Sequence, residues 1–142
     1  MKTRILRRLA AAALFGAIAI AVHAEPVLVT HPALASEKLD AAGVKSVLLG
    51  KKVAWDSGGR VVLAVLKAGP VADEFLKGSV DMNASAFSNH WRRLAMTGGG
   101  TSPKSFDKEE DLRKFVAETP GAIGFLDRAS VDASVHLVPS GN

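Results

Sequence analysis

The chain of 142 residues contains no cysteine. That excludes a disulfide framework, an acylated lipoprotein cysteine and any cysteine nucleophile, so the apolar core must hold the fold unaided. A chain well above ~70 residues buries enough surface to do so. The histidines past the N-terminus, His31, His90 and His136, stand singly, without an i, i+4 partner or clustered carboxylates, and give a metal centre no support. There is no Gly-x-Ser-x-Gly elbow. The glycine run at 98–100 is not followed by the Lys-Ser/Thr pair of a nucleotide-binding loop. Repeats, long low-complexity runs and linkers are also missing, which points to one domain. Nothing among these residues points to an enzyme or to a cofactor.

An excess of charge is lacking too, once the N-terminus is set apart. The formal charge of +4 rests on Lys2, Arg4, Arg7 and Arg8; the rest of the chain carries 14 basic and 14 acidic residues. A nucleic-acid partner is therefore not expected. Those four cations precede an uncharged apolar stretch, Leu9 to Val22, that ends in Val22-His23-Ala24. This is the three-part layout of a secretory signal, with Ala24 the last residue removed. A membrane span needs roughly 20 apolar residues, more than this stretch has. The expectation is a cleavable signal over 1–24 and an exported, periplasmic domain over 25–142 with no stable membrane anchor.

Along that domain, Val27 to Thr30 reads as a short buried strand closed by His31-Pro32. Asp40, with Ser36 as competitor, is the expected cap of a helix whose Val44, Val47 and Leu48 recur at helical spacing until Gly50. After the Trp55–Gly59 turn, Val61 to Leu66 is a run of six apolar residues, a strand covered on both faces. Gly69-Pro70 starts a second helix. A third runs from Ala84 to Met96, with Phe87, Trp91, Leu94 and Ala95 on one face, and stops at Thr97-Gly98-Gly99-Gly100. After a polar loop, Asp107 to Glu118 predicts a fourth helix, with acidic residues favoured in its first turn. Ala122 to Leu126 and Val135 to Val138 are the last two strands. Trp55 and Trp91 are expected in the core. Strands alternating with helices imply an α/β fold with a largely parallel sheet.

Several of these stretches together resemble the periplasmic phosphate-binding components of ABC transporters and their short relatives. They are Val47-Leu48-Leu49-Gly50-Lys51 followed by Trp55, the strand leading to Lys67, Phe75, Trp91 ahead of Met96-Thr97-Gly98, and Pro120-Gly121-Ala122-Ile123-Gly124-Phe125. The last is the most specific. The resemblance implies a single lobe of a type II periplasmic-binding-protein-like fold, a small mostly parallel or mixed sheet of about four strands flanked by helices. Full-length relatives close two such lobes around an oxyanion. It also implies a small oxyanion such as phosphate as ligand, and an ABC permease or another periplasmic protein as partner. The Arg-x-x-x-Ser-Gly-Thr signature of the family is expected near Val65 to Val71, where the sequence reads Val-Leu-Lys-Ala-Gly-Pro-Val.

Ligands of open parallel sheets bind beyond the carboxyl ends of the strands, where helix N-termini offer free N–H groups. That rule brings Thr30-His31, Lys67-Ala68-Gly69 and Asp127-Arg128 to one edge, with Lys67 as the cation and the turn at Gly69 supplying amides. A second candidate is Gly98-Gly99-Gly100-Thr101, whose amides could cradle an anion with help from Arg92 and Arg93. For each, the rival reading is structural: a solvated lysine, turn glycines and a helix stop. Two functions follow: a solute-binding module for an oxyanion, or a partner-interaction or regulatory module that keeps the fold without the ligand.

Overall fold

The structure, a computed structural model, describes residues 24–139, so the signal-peptide reading of 1–24 lies almost wholly outside the described residues. Nine main elements follow one another: β1 (Pro26–Thr30), α1 (Ala41–Leu48), β2 (Val62–Leu66), α2 (Pro70–Val80), α3 (Ala84–Met96), β3 (Lys104–Phe106), α4 (Glu109–Glu118), β4 (Ala122–Asp127) and β5 (His136–Leu137). Short 3₁₀ turns occupy Pro32–Leu34 and Arg128–Ser130.

Local chemistry accounts for most boundaries. The Asp40 carboxylate accepts from the Gly43 amide at 2.7 Å and caps α1. Asn83 does the same for α3, accepting from Ala86 at 2.8 Å. Pro70 opens α2, where its missing N–H and fixed φ are tolerated. At the end of α3 the left-handed Gly98 (φ +77°) completes a Schellman stop, with Gly99 N–H on the Leu94 carbonyl and Gly98 N–H on that of Ala95.

The sheet is mixed, in the order β3-β2-β4-β1-β5. β2 runs parallel to β3 and to β4, and β1 runs antiparallel to β4 and β5. A mixed sheet is one of the two arrangements the resemblance implies; two features differ from the largely parallel order that the alternation of strands and helices suggests. β3 is an additional strand within the segment read as a polar loop. β1 points the opposite way because the chain from Thr30 through α1 to Val62 begins and ends at the same edge of the sheet, so α1 is no crossover helix.

Gly124 and Phe125 point to opposite faces of β4, as pleating requires. Phe125, fully buried, stacks on Phe75 of α2 with ring centroids 4.4 Å apart. On the other face α4 lies so close that a Cβ at Gly124 would come within 2.9 Å of Leu112 and 3.0 Å of the Ala64 carbonyl oxygen. Leu112, Val116 and Leu126 fill this side with almost no exposure, while Ile123, equally buried, lies on the Phe125 side. Both tryptophans are core residues with their N–H satisfied: Trp55 donates to the Gly121 carbonyl and Trp91 to that of Leu48, each at 3.0 Å.

Candidate functional site

The parallel strands β2, β3 and β4 carry their carboxyl ends to one edge. β2 delivers Lys67, whose amide donates to the Phe106 carbonyl and whose ammonium lies 3.4 Å from the Asp107 carboxylate at the end of β3. At the end of β4, Arg128 pairs with Glu25 at 2.9 Å. Lys67 remains about half exposed, so its pair with Asp107 is a loose, solvated one. Ala68 and Gly69 turn the chain into α2; Gly69 has φ +106° and ψ 171°, a backbone region only glycine enters without strain. Gly69 offers no side-chain cap and Pro70 has no N–H, so Val71 is the first residue of α2 that carries a main-chain N–H.

The wall facing Lys67 comes from α3. Lys67 and Ala68 share a recess of about 450 Å³ with Asn83, Ser85, Ser88, Asn89 and Arg92. Asp73 also borders it, with its carboxylate held by the Ala84 amide at 2.9 Å. Arg92 donates to Asn89 at 3.2 Å and is otherwise directed at solvent. The recess thus sets two cations, Lys67 and Arg92, among small polar side chains, an arrangement suited to holding an anion without reacting with it.

Of the residues singled out in the sequence, the structure brings Lys67, Ala68, Gly69, Asp127 and Arg128 to this edge, sets Arg92 on the recess beside Lys67, and places Thr30, His31 and the glycine run elsewhere. Thr30 and His31 lie at the opposite edge, a correction that follows from the antiparallel β1: Thr30 pairs with Ile123 and His31 donates to the Ala122 carbonyl, at the start of β4. Thr30 is buried with its hydroxyl unpartnered, and His31 Nδ1 accepts from Ala33 to cap the following 3₁₀ turn. Gly98 and Gly99 have their amides engaged by the helix stop and cannot offer them to an anion. Gly100 and Thr101 line a different hollow, beside Val53, Arg60 and Trp91. Arg92, read from the sequence as an aid to that glycine run, instead borders the recess that Lys67 also lines.

Two carboxylates are held below the usual range, and neither belongs to this edge. Ser57 donates its hydroxyl and amide to Glu37, and Ser134 does the same for Asp132. Among the described residues no group of three or more His, Asp or Glu is placed to hold a metal ion. Among the same residues no helix is long and apolar enough to cross a membrane.

The chain forms an α/β domain around a mixed five-stranded sheet, a fold it shares with solved periplasmic-binding-protein-like structures. Two of the solved structures it is similar to are named for phosphate transport. An ABC-type phosphate transport receptor from Vibrio cholerae superposes with a TM-score of 0.56 at 14% identity, covering 81% of this chain and 45% of the receptor. A structure from Clostridium perfringens with bound phosphate, assigned as a phosphate ABC transporter substrate-binding protein, gives 0.60 at 18% identity, covering 82% and 45%. The chain therefore spans less than half the length of either. No protein-family model matches the chain, and no curated protein does.

Proposed function

We propose that the domain is an exported solute-binding module that holds a small oxyanion, phosphate or a close analogue, without chemistry. Its site is the turn Lys67-Ala68-Gly69 together with the exposed start of α2. The observation that carries this reading is the recess lined by Lys67, at the carboxyl end of β2, and by Arg92 among small polar side chains, with the Asp73 carboxylate already held by the Ala84 amide. The likeness to phosphate receptors supports it.

Two cations and an amide on an open surface leave an anion largely hydrated, so affinity is expected no better than about millimolar, near −4 kcal/mol. Amide chemical-shift mapping with inorganic phosphate tests this: Lys67, Ala68 and Val71 should move. Asp107→Asn removes the carboxylate that competes for Lys67 and should tighten binding by up to about fivefold, the range of an exposed pair. Shifts confined to Gly98–Ser102 would relocate the site. Silence at tens of millimolar phosphate would favour the interaction or regulatory module, a reading supported by the existing Lys67–Asp107 pair. Export belongs to the same proposal, with Glu25 as the first residue of the mature periplasmic protein and a permease or periplasmic protein as partner. N-terminal sequencing of the periplasmic fraction checks the cleavage.

A further inference from the structure

The recess does not end at the cations. Lys67, Ala84, Ser88 and Arg92 also border a larger cavity of about 560 Å³ that continues under α3, between that helix and the β2–β3 half of the sheet. Its floor is Val65, Leu66 and Ser105, and its roof holds Phe87, Trp91 and Ala95. Among the described residues, Lys67 and Arg92 are its only charged lining residues, and both sit at the end it shares with the smaller recess. The void is written into the sequence: Ala84, Ser88 and Ala95 fall on one stripe of α3, opposite Ser105 on β3, where larger side chains would fill the gap.

A space of this size, lined by Val65, Phe87, Trp91 and Ala95 with serines between them and cationic at one end, is that of a drug-sized ligand rather than of a bare tetrahedral ion. We infer that the ligand of this edge is an organic phosphate monoester with an apolar substituent. Its phosphate lies between Lys67 and Arg92, and its apolar part lies under α3 against Val65, Phe87 and Trp91. This inference rests on the oxyanion reading and deepens it. The anionic head alone gains little on an open surface, whereas an aromatic or branched substituent removed from water under α3 adds affinity in proportion to the area it buries.

The test compares inorganic phosphate, phenyl phosphate and benzyl alcohol, each titrated into the purified protein and followed by amide shifts at pH 7.5. Phenyl phosphate should bind at least about tenfold tighter than phosphate, the effect of half-burying a phenyl group, and should move Val65, Trp91 and Ser105 in addition to Lys67. Benzyl alcohol, lacking the anion, should bind more weakly than the ester. Ser105→Phe and Ala95→Leu, both at exposed positions, fill the cavity from opposite walls and should abolish the advantage of the ester over phosphate. Arg92→Gln should weaken the ester. Phosphate shifts at Lys67 with no gain from the phenyl group would end this inference and leave the oxyanion reading standing. Absence of shifts from both anions would end both. A gain that survives Ser105→Phe and Ala95→Leu would place the phenyl group elsewhere and overturn the assignment.

Discussion

Gly121→Ala is the substitution for which the structure gives the largest conformational penalty. Gly121 sits just before β4 with φ +82°, and its carbonyl accepts from both the Val62 amide and the Trp55 indole at 3.0 Å, tying β2, β4 and the Trp55 turn together. A Cβ there would overlap the Arg60 carbonyl oxygen, which is backbone and cannot rotate away. The left-handed conformation alone costs about 1–2 kcal/mol with a side chain. Displacing β2 adds roughly 1–3 kcal/mol, as overpacking does. Weakening the indole bond adds about 1 kcal/mol. The expected loss is thus about 3–6 kcal/mol, a large part of the roughly 5–15 kcal/mol of a whole domain. Gly58→Ala is the control: φ is +97° but nothing lies within 4 Å of the added carbon, so only the conformational cost of about 1–2 kcal/mol applies. Urea unfolding followed by fluorescence of the buried Trp55 and Trp91 measures both. Equal losses in the two variants would refute the reasoning, because they would mean that Arg60 does not press on Gly121.

Ile123, 1% exposed in the middle of the sheet, should not tolerate Ile123→Asp; circular dichroism should show an unfolded chain, since an unpaired buried carboxylate costs several kcal/mol. Thr30→Val removes a buried hydroxyl that has no partner, so the melting temperature should stay level or rise by a few degrees; a fall would show that the hydroxyl is satisfied. Glu37, held below the usual carboxylate range first by the Ser57 hydroxyl and then by its amide, contributes stability that is present above the unfolded pKa of about 4.3 and is lost as pH falls through the lower folded value. The gap in melting temperature between wild type and Glu37→Gln should therefore be constant above about pH 5 and close on acidification, and a gap independent of pH would remove Glu37 from the account.

Elements governed by near neighbours were legible in the sequence. Asp40 caps α1 because a side-chain oxygen can reach an amide three residues on, and Gly69-Pro70 starts α2 by backbone geometry alone. β3 was not legible for the opposite reason. Lys104-Ser105-Phe106 is short and mostly exposed, with no apolar alternation; it becomes a strand because the free edge of β2 offers it hydrogen-bond partners. The direction of β1 is equally long-range. It depends on where the chain returns after α1, and no residue of Val27 to Thr30 encodes that. The misplacement of Thr30 and His31 follows from the direction alone, since their side chains are unchanged by it and only the edge differs.

The same division explains the site. Lys67 and Gly69 could be placed at this edge from the sequence because a strand end followed by a helix start is a local pattern. Arg92 was read with the glycine run and not with Lys67, because its place on this recess arises from the packing of α3 over β2. Pro120 to Phe125, the most specific segment of the resemblance, does different work. Gly121 admits the Arg60 backbone at the edge remote from Lys67, Gly124 admits α4, and Phe125 meets Phe75, so the segment encodes how closely the layers approach. Close approach of backbones leaves few residue choices, whereas an anion can be met by many combinations of cation and amide. A likeness carried by such a segment therefore transmits the fold, and the ligand must be argued from Lys67, Arg92 and the space beneath α3.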